Sequence, residues 1–117
     1  IVDDVTKFLN RETKRGKKYD AIILDPPSFG RGKSGEVYKI ESNIANTLEK
    51  CFALLSAKPI FVLLSCHTPS FTPIVLKNIL HSFEPVKGQT ECGEMVLSGG
   101  MNVMPVPSGS WACWRPK

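Results

Sequence analysis

Tyr19-Asp20-Ala21-Ile22-Ile23-Leu24-Asp25-Pro26-Pro27-Ser28-Phe29 is the stretch whose reading decides the fold. Residues 19–24 form a short apolar run that ends in an acid and two prolines, the pattern of a strand buried on both faces that stops abruptly. Pro26 and Pro27 have no N–H and a fixed φ, so the turn is stiff and its carbonyl oxygens can point at a ligand. In open α/β sheets ligands bind beyond the carboxyl ends of the strands, where Asp25 and Phe29 would stand. Phe29 offers a flat ring to a base or a ring substrate, and Asp25 can accept a hydrogen bond from an amino group.

Upstream of this strand, Asp3 or Asp4 can cap a helix whose apolar positions Val5, Phe8 and Leu9 recur at helical spacing and which ends near Gly16. Downstream, residues 26–36 hold two prolines, three glycines and two serines, too much turn chemistry for regular structure. An amphipathic helix follows over residues 41–55, with Ile44, Leu48, Cys51, Phe52 and Leu55 on one face. Pro59 starts a second buried strand over residues 60–65. A third helix spans residues 72–83, with Thr72 as N-cap, Pro73 at its first position and a face of Ile74, Val75, Ile79, Leu80 and Phe83. Short β segments close the chain at residues 86–92, 94–97 and around 111–114. The order reads as α/β with a parallel core and an antiparallel terminal strand pair.

At 117 residues, 42% hydrophobic and 22% charged, the chain has the composition of one folded unit, residues 1–117, rather than of a disordered segment. Its longest unbroken apolar stretch, residues 60–64, excludes a membrane-spanning helix. The first residue is Ile1, and no secretion signal follows it, so the chain is expected to be a segment cut from a longer domain whose other strands precede it. The parallel strand edge left open by such a cut carries a risk of homodimer formation. Cys51, Cys66, Cys92 and Cys113 have no zinc-ligand spacing and read as reduced thiols of a cytoplasmic protein, with no metal. The formal net charge of +4 is a mild basic bias. Arg11, Lys14 and Arg15 suit the last turn of a helix, with Gly16 as its C-cap. Arg31 and Lys33 either contact the phosphates of a nucleic acid or are solvated loop charges. Gly32-Lys33-Ser34 is not a phosphate loop, because the required glycine five residues earlier is Pro27.

Asp25-Pro26-Pro27 with an aromatic after it resembles the fourth motif of class I S-adenosylmethionine-dependent methyltransferases that act on amino groups or nucleic-acid bases. The run from Tyr19 to Gly32 is similar to RNA methyltransferases of the large-subunit rRNA 5-methylcytosine type. The resemblance implies the C-terminal portion of a Rossmann-like methyltransferase fold, S-adenosylmethionine as cofactor and RNA, ribosomal RNA above all, as partner. It implies a catalytic loop of Asp25, Pro26, Pro27 and Phe29, with Phe29, Arg31 and Lys33 toward the substrate. Asp3-Asp4-Val5 matches the segment in which an Asp and the next backbone N–H contact adenine, which makes Asp4, Val5 and Asp25 the cofactor-binding positions. Cys66, at the end of the second strand, corresponds to the cysteine that adds to C6 of cytosine so that C5 can attack a methyl group. A packed thiol at a strand end is the other reading of Cys66, and His67 stands where the family has a small residue. The resemblance therefore implies methylation of a base in RNA, with ribosomal RNA cytosine C5 favoured, and two alternatives remain: a non-catalytic module with a degenerate fold, and an amino-group methyltransferase acting on a protein or small molecule.

Overall fold

The computed structural model describes every residue except Val2, Ser34 and Val86. The serine of the Gly-Lys-Ser tripeptide and the first residue of the strand predicted from 86 therefore lie outside the described residues.

Helix α1 (Val5–Lys14) starts where Asp4 caps it, the Asp4 side chain accepting from the Lys7 N–H. It ends at Gly16, whose φ of 64° suits a residue without a side chain. Strand β1 (Ala21–Leu24) follows, and then the Pro26-Pro27 corner. The segment expected to be irregular instead folds into a short antiparallel hairpin of β2 (Phe29–Arg31) and β3 (Val37–Lys39), in the register Phe29↔Lys39, Gly30↔Tyr38 and Arg31↔Val37. The glycines bend the turn rather than dissolve the strands, and Gly35 takes up the positive φ of 86° there. Helix α2 (Ile40–Ala53), strand β4 (Phe61–Cys66) and helix α3 (Pro73–His81) complete the α/β part. Thr72 caps α3 through the Val75 N–H, as its sequence predicts. Strands β5 (Gly88–Leu97) and β6 (Val106–Pro116) are longer than expected, and β5 is one strand with a register shift between Met95 and Val96 rather than two.

The main sheet has the order β1-β4-β6-β5, with β1 and β4 parallel and the other pairs antiparallel. This is the α/β architecture with a parallel pair and an antiparallel terminal pair. Strand β6 lies inside the sheet, not at its edge, because it inserts between β4 and β5. Helices α2 and α3 cover one face, where Leu48, Val62, Leu64, Leu76, Leu80 and Trp114 have no solvent exposure. Trp114 meets Phe52 edge-on at 5.8 Å between ring centroids. Within α3 it is Leu76 and Leu80 that are buried, while Ile74 is exposed, so the buried face is rotated from the predicted one.

Strand β1 corrects the sequence reading. Only Ile22 and Leu24 join the core, and Ile23 on the opposite face is 69% exposed. β1 is the outer strand, and among the described residues no helix covers its second face. Helix α1 packs on α2 instead, through Leu9, Cys51 and Leu54.

Candidate active site at the carboxyl edge of the sheet

Parallel pairing sets Leu24 opposite Leu64, so the next residues, Asp25 just past the end of β1 and Ser65 near the end of β4, stand side by side at the carboxyl edge of the sheet. The Ser65 hydroxyl donates to Asp25 Oδ1 at 2.6 Å. His67 Nε2 lies 3.7 Å from the same carboxylate oxygen, and both side chains are 56% exposed. The ring of His67 is anchored behind by its Nδ1, 2.5 Å from the Ser108 carbonyl oxygen. A carbonyl can only accept, so Nδ1 carries the proton of the neutral ring and Nε2 presents a lone pair. β6 can approach this closely because Gly109 has a φ of 140°, and a Cβ there would stand 2.4 Å from the Cys66 carbonyl oxygen.

The corner itself is held at two points. Pro26 is buried, and the hydroxyls of Ser28 and Thr68 share a hydrogen bond of 2.6 Å, which ties the loop after β1 to the loop after β4. Pro27 and Phe29 are exposed, and the Arg31 guanidinium lies 5.8 Å over the Phe29 ring. Lys33 is exposed in the hairpin turn. The hairpin is tied to α1 by an ion pair of 2.7 Å between Lys7 and Glu36. That contact brings the start of α1, with Asp4 and the half-buried Val5, to the hairpin side of the molecule. One oxygen of Asp4 is engaged in the helix cap, while Asp3 pairs with Arg11.

Cys66 stands apart from this group. Residues alternate along β4, so Val62, Leu64 and Cys66 face the helices while Ser65 faces the other way. The Cys66 sulfur is fully buried and accepts from the Thr68 N–H at 3.4 Å. Two other features also lie away from Asp25: a concavity of about 470 Å³ lined by Lys7, Asn10, Arg11, Lys14 and Arg15, and one of about 450 Å³ beside Pro59 and Pro116. The Asp25 group is an open ledge.

Ser65 and His67 are the residues that the sequence reading did not assign to the site. The signal that could have found them is the register of the two parallel strands: once Asp25 is placed just past β1, the residues just past the matching point of β4 must stand beside it.

No protein-family model matches the chain. Over 34 residues it is 50% identical to the ribosomal RNA large subunit methyltransferase I of two Salmonella strains, arizonae and newport, a match covering 29% of this chain and 8% of each enzyme. Among solved structures, a SAM-dependent methyltransferase from Agrobacterium tumefaciens superposes with a TM-score of 0.86 and 28% identity over 95% of this chain and 37% of its own. The methyltransferase SMU.776, crystallised with SAH, superposes with a TM-score of 0.69 and 22% identity over 97% of this chain and 30% of its own. The chain thus spans about a third of the solved structures that it matches.

Proposed function

From a chain that carries part of the class I S-adenosylmethionine-dependent methyltransferase fold, we propose that the protein transfers a methyl group from S-adenosylmethionine to a base in RNA, most specifically ribosomal RNA. The observation that carries this reading is the Asp25 carboxylate, exposed at the carboxyl ends of two parallel strands and oriented by Ser65 without a buried counter-ion. The segment shared with the two ribosomal RNA methyltransferases supports RNA as the substrate.

The residues present fit the cofactor. An exposed carboxylate beside a stiff proline turn suits the neighbourhood of a cation, so Asp25 would face the sulfonium end. Asp4 and the Val5 N–H, at the start of α1, would meet the adenine. Bound S-adenosylmethionine supplies an electrophilic methyl group. The protein's own part is alignment. Asp25 accepts a hydrogen bond from the incoming base, the Phe29 ring stacks on it, and Arg31 and Lys33 meet the phosphates. The four free thiols suit the reducing cytosol. The edge of β1, open among the described residues, is the place for a homodimer contact of this chain, and sedimentation of residues 1–117 as a monomer would remove that contact.

Asp25→Ala in the full-length protein is expected to lower methyl transfer to RNA by about 100-fold or more, as for other groups that fix the reacting atoms. Labelled cofactor measures it, and unchanged turnover removes the reading. Thiolate addition from Cys66 ahead of methylation at cytosine C5 requires that sulfur to leave the core. A covalent adduct with 5-fluorocytosine RNA that disappears in Cys66→Ala is the sign of that route.

A further inference from the structure

We infer that His67 is the proton acceptor of the reaction and that the methylated atom is an exocyclic amino nitrogen; this rests on the methyltransferase reading above. Asp25 Oδ1 and His67 Nε2 face each other across 3.7 Å. With the Nδ1 proton committed to Ser108, both facing atoms are acceptors. An amino group has two N–H bonds to offer, and this pair of acceptors can receive both, one at the carboxylate and one at the imidazole. A ring carbon such as cytosine C5 has no such donors. The sulfur that carbon methylation would need is packed against the helices, on the side of β4 opposite Ser65.

The proton then has a defined destination. As the electron pair of the amino nitrogen forms the bond to the methyl carbon, the bond from that carbon to sulfur breaks and its pair stays on sulfur. The nitrogen becomes positively charged, and its second proton passes to His67 Nε2. The imidazolium that forms is balanced by Asp25 at 3.7 Å and holds its other N–H on Ser108. Water later removes the proton. Among the described residues, Asp25 is the charged group paired with this ring, while β6 contributes the neutral Ser108 carbonyl.

Four measurements on the full-length protein test this. His67→Asn, whose amide can keep the bond to Ser108 but has no acceptor at the Nε2 position, is expected to lower kcat by about 100-fold with KM for RNA unchanged. In His67→Ala, added imidazole is expected to restore part of the turnover, which a purely structural role for the ring does not allow. Nitrogen NMR of the wild-type ring, independent of turnover, is expected to find the proton on Nδ1, and a proton on Nε2 in the neutral ring overturns the inference. Mass analysis of the RNA product should place the methyl group on an exocyclic nitrogen, and a methyl on a ring carbon overturns it too. If the wild type and Asp25→Ala behave as expected while His67→Asn equals wild type, this inference fails alone. If wild-type protein transfers no methyl group to RNA, the parent reading fails and takes this one with it.

Discussion

The helix-covered face of the sheet and its open carboxyl edge meet at the end of β4, and they treat neighbouring residues in opposite ways. Cys66 points into the covered side with no exposure, whereas Ser65 and His67, one residue to either side, form the polar group around Asp25. The same contrast separates two carboxylates. Glu12 is buried and is bound by the Tyr19 hydroxyl at 2.6 Å and by Arg15 at 3.2 Å, while Asp25 is exposed and held by one hydroxyl. A group that must reach a substrate is oriented but left open; a group that holds the fold is enclosed by its partners. By that criterion we propose that the chemistry belongs to Asp25, Ser65 and His67, and the thiol to the packing.

The most severe way to break this contrast is at Trp114, the largest fully buried side chain of the covered face. Trp114→Ala is expected to cost about 3–5 kcal/mol of folding stability, the usual cost of emptying a large aromatic site. Urea unfolding measures it, and a cost below about 1 kcal/mol, typical of surface positions, would mean that this face is not the core. A paired substitution at the end of β4 sharpens the contrast. Cys66→Ala should cost about 1–2 kcal/mol, since a small buried group is lost and a small void remains. Ser65→Ala, on the other face, should change stability by less than about 0.5 kcal/mol. Turnover should follow the reverse pattern, falling about tenfold in Ser65→Ala, as for one lost hydrogen bond of about 1.4 kcal/mol, and staying near wild type in Cys66→Ala. Rapid native alkylation of Cys66, ahead of the half-buried Cys92, would show an accessible thiol and reverse this assignment.

Much of this was legible from the residues, because local chemistry decides it. Asp4, Thr72 and Pro73 fix the starts of two helices through their own side chains, and Asp25-Pro26-Pro27 ends its strand wherever that strand lies. The placing of Cys66 and His67 on different sides of an extended chain also follows from the period of two. What was hidden depends on pairing between distant segments. The β2 and β3 hairpin forms because Phe29 finds Lys39 and Arg31 finds Val37, contacts that a count of glycines and prolines does not contain. The exposure of Ile23 depends on what lies over the outer strand, and a run of apolar residues reads the same whether one face or both are covered. The association of Ser65 and His67 with Asp25 depends on the register between β1 and β4. The fold's local punctuation was therefore readable, and the membership of the site was only half so.

The smallest effect tests the two carboxylates against each other. The hydrogen bond from the Tyr19 hydroxyl, ahead of the contributions of Arg15 and Arg11, holds the Glu12 carboxyl below its usual range despite the opposing effect of burial. A carboxyl whose folded-state value lies below its unfolded one, about 4.3, stabilises the fold above that unfolded value and loses this contribution as pH falls through the folded value. The Tm difference between wild type and Glu12→Gln should therefore be full at neutral pH, begin to shrink below about pH 4.3 and vanish once Glu12 is protonated in the folded protein. Tyr19→Phe removes the largest cause of the shift, so in that background the Glu12 contribution should be smaller and its loss complete at a higher pH. Asp25→Asn should leave Tm at neutral pH nearly unchanged, because its carboxylate is exposed and held by one hydroxyl. If Glu12→Gln instead shows no pH-dependent loss and Asp25→Asn lowers Tm at neutral pH, the roles of the two acids are exchanged, and the open edge has been mistaken for the structural one.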